Sequence, residues 1–113
     1  MSLDKKFAFQ KLDIYVAARE LVQLVHQARI RDAEFRDQGT RAAKSVFCNI
    51  GEGLPSRSSG VRRKYFETAQ GSLFETVTAV DGADAVGAIE RAHIAPIMAC
   101  AHRVDAMLRG LLG

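Results

Sequence analysis

The chain has 113 residues, 48% hydrophobic and 26% charged, with two prolines, two cysteines and no tryptophan. That composition fits a single globular domain over residues 1–113 and excludes a collagenous, low-complexity or disulfide-framework protein. A chain of this size buries about two-thirds of the surface its unfolded form exposes, enough for a core with no metal or disulfide staple. Its formal charge of +3 and pI near 9.1 favour polyanions mildly, well short of an obligate nucleic-acid binder.

The stretch Met1 to Gln10 carries Lys5 and Lys6 but no apolar run that would make a signal-peptide core, so export is not expected. The longest apolar stretch, Ile94 to Ala101, spans eight residues and includes Pro96, whereas a membrane-spanning helix needs about 20. No membrane partner is expected, and the cytoplasm, with Cys48 and Cys100 both reduced, is the expected compartment.

No segment alternates as a strand does, and apolar residues recur at helical spacing throughout. The first helix is expected over residues 10–31, with Ile14, Ala17, Ala18, Leu21, Leu24, Val25 and Ala28 on one stripe. Asp32 caps a second, over 33–54, whose inward stripe is Phe35, Ala42, Ala43, Val46, Ile50 and Gly53. The turn formers Leu54 to Gly60 lead into a third helix over 60–86, with Phe66, Ala69, Leu73, Val77 and Val80 inward and Gly82 and Gly87 weakening its far end. A fourth, over 93–112, places Pro96 in its first turn and buries Ile94, Ile97, Met98, Ala101, Val104, Leu108 and Leu112. Short connections make successive helices antiparallel: an all-α, up-down-up-down four-helix bundle.

The faces turned away from that core carry the functional signal. Opposite its stripe the first helix presents Leu12, Tyr15, Val16 and Val22, the second presents Arg41, Lys44, Cys48 and Gly51, and the fourth Ala99, Ala106 and Gly110. Apolar and small outward faces are what a second copy of the chain would cover, so Leu12, Tyr15, Val16, Cys48 and Gly51 are candidate oligomer-interface residues. The plain alternative is that alanine favours helix and scattered apolar residues need no explanation.

Charge is uneven. Residues 36–64 hold seven basic side chains against Asp37 and Glu52, a local +5, while the remainder nets −2. Arg41, Lys44, Arg57, Arg62, Arg63 and Lys64 are therefore candidate nucleic-acid-binding residues acting on phosphates, since only Tyr65 and Phe66 lie near for base stacking. Basic residues in a helix's first turns oppose its dipole, so helix stability does not explain them. The competing reading is a solvated helix start on a protein-interaction scaffold.

Catalytic chemistry is sparse. Glu90 and His93 form one Glu-x-x-His element, where a di-metal bundle requires two and further glutamates. Cys100 and His102 point away from each other on one helix, so no metal site, no cofactor and no catalytic residue is assigned, and an enzyme is not expected. Asn49 and Glu52 share a face of the second helix beside the Ile50 stripe and are expected to seek partners such as Gln70 or Ser72, setting helix register. A general acid at Glu52 is the weaker alternative, with no histidine or second carboxylate expected within reach.

Arg41-Ala42-Ala43-Lys44-Ser45-Val46-Phe47-Cys48-Asn49-Ile50-Gly51-Glu52-Gly53 resembles the RAA-x-SI-x-x-NIAEG segment of the four-helix-bundle family encoded in 23S rRNA intervening sequences. Leu12-Asp13-Ile14-Tyr15, with Ala18 and Glu20-Leu21, resembles that family's first-helix pattern, and Ala69-Gln70-Gly71-Ser72-Leu73-Phe74-Glu75 its third. Gly51 stands where alanine is usual, and Pro55 enters a turn that is often glycine-rich. The resemblance implies a left-handed bundle, assembly as a ring of five protomers, no established catalysis, and structural roles for Asn49, Glu52 and Gly53. Relatives include the accessory variability determinant of diversity-generating retroelements, which implies RNA or DNA, and a partner protein such as a reverse transcriptase, as binding partners.

Overall fold

The computed structural model describes residues 5–113; Met1 to Asp4, part of the amino-terminal stretch read above for an export signal, lie outside the described residues. A 3-10 turn, Ala8–Lys11, precedes four α-helices: α1 Asp13–Gln27, α2 Ala33–Gly53, α3 Ser59–Ala85 and α4 Arg91–Leu112. Helices adjacent in the chain pack on each other, and α1 packs on α4 to close the square. Tyr15 and Val25 of α1 approach Gly51 and Gly39 of α2, and Gly39 and Gly53 in turn approach Ala79 and Phe66 of α3. The pairings run in opposite senses, so the chain forms an antiparallel four-helix bundle.

Local chemistry accounts for the boundaries. The Asp32 carboxylate accepts the Phe35 N–H at 2.9 Å, and the Ser58 hydroxyl accepts that of Val61 at 3.3 Å, each cap contributing about 1 kcal/mol. The first helix is shorter than its apolar stripe predicts. Phe7 donates its N–H to Gln10 Oε1 in the 3-10 turn, and α1 ends at Gln27 because Arg29 takes φ +47° and turns the chain back. Ile30, beyond that turn, plugs the core at 2% exposure.

Two further expectations are corrected. Helix α4 begins at Arg91, so Pro96 falls in its second turn; the bond it cannot donate would have gone to the carbonyl of Ala92, an exposed residue whose oxygen water can satisfy. Gly82 lies inside α3, and a Cβ there would come within 2.5 Å of the Phe35 ring. It seats that ring and does not weaken the helix end. The chain turns instead at Gly87, φ +67°.

The core is the expected stripes with additions, except that Leu24, Phe35, Val77, Ile94, Met98 and Leu112, expected inward, are only half-buried. Leu21, Val46, Ile50, Ile97, Val104 and Leu108 are fully buried, each contributing about 1.5–3 kcal/mol. Cys100, Ser72, Thr76, Ala79 and Ala83 join them, outside the expected stripes. Helices α2 and α3 share the most extensive contact, in which Gly39 meets Ala79 and Gly53 meets Phe66 and Tyr65. Arg31 ties the two connections at one end of the bundle together: its N–H donates to Ala88 O at 2.8 Å, and its guanidinium reaches Gly87 O at 2.9 Å and Glu90 Oε1 at 3.0 Å.

Candidate nucleic-acid interface

The basic residues singled out in the sequence divide into two kinds. Arg62 is half-buried, donates to Leu54 O at 2.6 Å and lies 5.3 Å over the Phe66 ring. That guanidinium closes the α2–α3 turn. Arg63 donates to Leu112 O at 2.8 Å and faces Glu67 at 3.8 Å, tethering the last turn of α4 to the start of α3. Arg41, Lys44, Arg57 and Lys64 are exposed. Among the described residues none of these four has an ion-pair partner, a condition they share with Lys5, Lys6, Lys11, Arg19 and Arg29, whereas Arg31, Arg36, Arg63, Arg91, Arg103 and Arg109 each face a carboxylate. Arg41 and Lys44 rise from the middle of α2; Arg57 sits in the turn and Lys64 on the second turn of α3.

Between α2 and α3 lies an open groove lined by Asn49, Val61, Lys64, Tyr65 and Thr68. Asn49 Nδ2 donates to Ser45 O at 2.8 Å and to Ser45 Oγ at 3.2 Å, and Ser45 Oγ shares a 2.7 Å hydrogen bond with Ser72 Oγ. This chain of polar contacts reaches Ser72, one of the two partners expected, by way of Ser45. Glu52 does not join it: its side chain is exposed and makes no side-chain hydrogen bond among the described residues. Its place beside the Ile50 stripe leaves it on the solvent side, which corrects the expectation that it seeks a partner on α3. Gly53 is filled by contact, since a Cβ would fall 2.7 Å from Phe66 Cε1 and 3.1 Å from Tyr65 Cβ.

The candidate interface residues also separate. Leu12 and Val16 are 48% and 51% exposed, and Cys48 is exposed. Tyr15 is half-buried: its ring packs 4.9 Å from Phe47 and 5.5 Å, edge-on, from Phe9, and lies 3.6 Å from the point where a Cβ on Gly51 would stand. Tyr15 therefore bridges α1 and α2 within one protomer, where helical spacing alone turned it outward. Of the residues weighed for metal chemistry, Glu90 stands at the N-cap position of α4 without a side-chain capping bond and pairs with Arg31, and Cys100 donates its thiol to Ala17 O at 3.2 Å inside the core. Burial, with the Glu20 carboxylate adding, pushes that thiol up to about 11. Among the described residues, no group of three or more His, Cys, Asp or Glu side chains could hold a metal ion and no helix is long and apolar enough to cross a membrane.

With these motifs placed on one bundle, the sequence also matches the family described as the 23S rRNA-intervening sequence protein over residues 10–110. The chain belongs to this family. The match runs from the 3-10 turn to the last turn of α4, so the 23S rRNA-intervening sequence family is defined here by the whole four-helix bundle. No curated protein shows significant similarity to the chain.

A second basic concavity escaped the sequence. His26, Arg29, Arg31 and Arg36 surround a cleft at the opposite end of α2, and the residues responsible were hidden because the apolar stripe carried the first helix through them to Arg31. The signal available was Arg29-Ile30-Arg31, an apolar residue between two arginines directly before the Asp32 cap.

Proposed function

We propose that this chain is a non-enzymatic subunit of a homo-oligomeric ring, five protomers about one axis, that holds nucleic acid, structured RNA in particular, through phosphate contacts in the cytoplasm. The observation that carries the reading is the set of four exposed cations without acidic partners, Arg41, Lys44, Arg57 and Lys64, on α2, the α2–α3 turn and α3. Each contributes little alone; repeated around a ring they form a belt whose contacts act together. The exposed Leu12, just before α1, and Val16 on α1 supply apolar surface for the neighbouring copy. The family's tie to a 23S rRNA intervening sequence makes RNA the first probe. The Ser45–Ser72 hydrogen bond, with Asn49 donating to Ser45, and the Gly53–Phe66 contact hold α2 against α3, so the cations on these helices keep their spacing.

The test is retention of a structured RNA by the full chain across a salt series. Each phosphate neutralised adds about 0.7–0.9 to the slope of log affinity against log salt. Arg57→Glu with Lys64→Glu lowers that slope by about 1–2 and weakens binding uniformly across RNA sequences. Unchanged retention in a folded double variant contradicts the reading. One observation favours a second reading, a protein-interaction scaffold, which includes docking of a partner such as a reverse transcriptase: Phe74 is 55% exposed beside Met98, His102 and Asp105 in an α3–α4 cleft of about 280 Å³. A contact of that kind is nearly indifferent to salt.

A further inference from the structure

The α1–α2 connection is built in a way that its folding does not require. After Gln27 the backbone closes with Ala28 donating to Leu24 O and Arg29 to His26 O, at 3.1 and 3.3 Å. Arg29 then adopts φ +47°, the single non-glycine residue in the left-handed region among the described residues. Glycine is the usual occupant of that position past a helix end, because any Cβ there is strained. The turn needs the conformation, and glycine would supply it more cheaply. Something other than the turn accounts for a guanidinium at this point.

What the arginine does is line a cleft. His26 from the last turn of α1, Arg29 and Arg31 from the connection, and Arg36 from the start of α2 surround a concavity of about 410 Å³, with Val25 and Ile30 at its base and Thr40 beyond. Three arginines and a histidine line one space. The acids from the neighbouring elements offset only part of this charge. Glu90, at the start of α4, pairs with Arg31 at 3.0 Å, and Asp37 of α2 stands 3.5 Å from Arg36, both in exposed pairs of small energy. Asp32 directs its carboxylate to the Phe35 N–H. The Thr40 hydroxyl donates to Arg36 O and offers the cleft no proton. Arg29 has no ion-pair partner among the described residues.

We propose that this cleft is a phosphate-binding site, distinct from the α2–α3 face and separated from the α2–α3 turn by the length of α2, about 30 Å. The ligand is a phosphate group, carried by a free phosphate or monoester or by a nucleic-acid backbone. Arg29 and Arg36 present planar forks matched to phosphate oxygens, with Arg31 held in place by Gly87 O and Glu90 and His26 as a further donor. The apolar base strengthens such contacts by excluding water from one side. Arg29 is kept against the preference of its own backbone because the site needs it.

Titration of the isotope-labelled full chain with inorganic phosphate, and separately with an oligouridylate lacking a terminal phosphate, follows the Nε–Hε resonances of Arg29 and Arg36. Saturable shifts with phosphate, absent with chloride at equal ionic strength, support the site. Competition by the oligouridylate assigns it to backbone phosphate, and its failure to compete assigns it to free phosphate or a monoester. Arg29→Gly is the decisive variant: it raises the midpoint of urea unfolding while weakening phosphate binding about tenfold, the loss expected for one charge-assisted contact. Arg57→Glu with Lys64→Glu leaves the phosphate titration unchanged, so the fate of this site is separable from that of the α2–α3 face. Shifts that grow linearly without saturation, or an Arg29→Gly chain that binds phosphate as tightly as before, overturn the proposal.

Discussion

Replacing Gly53 by alanine probes the tightest contact between α2 and α3. The added methyl would meet Phe66 Cε1 at 2.7 Å, Phe66 Cδ1 at 3.1 Å and Tyr65 Cβ at 3.1 Å. Phe66 has little freedom to retreat: it is 2% exposed, sits under the Arg62 guanidinium, and that guanidinium is anchored on Leu54 O. Tyr65 Cβ is bonded to the backbone and moves only with α3. Overpacking of this kind costs about 1–3 kcal/mol. Gly53 is the last residue of α2, where alanine recovers only a fraction of the roughly 1 kcal/mol it gains in a helix interior. The balance is a loss of about 1–2 kcal/mol, a fall in Tm of roughly 4–10 °C for a domain of this size. Gly71→Ala is the matched control, because Gly71 is exposed in the middle of α3 and an added Cβ meets nothing within 4 Å. That change gains about 0.5–1 kcal/mol. Thermal and urea unfolding at equal chain concentration compare the two. If both variants gain stability alike, the close α2–α3 packing described for Gly53 is wrong.

The buried and exposed thiols give a second check: in a titration with a chromogenic disulfide near pH 8, Cys100 reacts only after denaturant is added, and prompt modification of both thiols contradicts its place in the core. Because the Cys100 thiol is raised from 9.0 to about 11 in the fold, the unfolded chain ionises first, and the stability it contributes is full below pH 9 and lost as pH rises toward 11; Cys100→Ala flattens that part of the pH profile. Ser45→Ala removes the partner of the buried Ser72 hydroxyl and one acceptor of Asn49, lowering urea stability by about 1–2 kcal/mol, and it is non-additive with Ser72→Ala because both cut the same contact. Glu52→Gln changes stability by less than about 0.5 kcal/mol, its side chain being exposed; a large loss would return Glu52 to the register-setting role expected from the motif.

The bundle was legible because its helices are amphipathic and capped. Every residue of the α1 stripe except the half-buried Leu24 is buried, and Asp32 caps α2 as the sequence indicates. What helical spacing cannot encode is the reach of a long side chain. Tyr15 leaves the outward face by folding over Gly51 onto Phe47, and Arg62 and Arg63, which look like free cations in the sequence, spend their guanidiniums on the carbonyls of Leu54 and Leu112. The carbonyl partner of Arg63 lies 49 residues away, beyond any local pattern. Chain reversal at Arg29 was hidden for another reason: only the backbone dihedral reveals it, and glycine is the residue that would have marked it. Gly82 misled in the opposite direction, since a glycine within a helix reads as weakness until the ring of Phe35 is seen resting on it.

A lone protomer would leave Leu12, at the start of α1, and Val16 in water, and the belt we propose from Arg41, Lys44, Arg57 and Lys64 would have its force only when repeated. Light scattering coupled to size exclusion, run at micromolar concentration, reads the mass of the assembled species. A ring of five gives five times the 12.4 kDa of one chain, and Leu12→Glu with Val16→Glu lowers it toward the protomer mass while the helical signal persists. A mass of 12.4 kDa for the unaltered chain, unchanged by concentration, contradicts the ring and removes the belt with it.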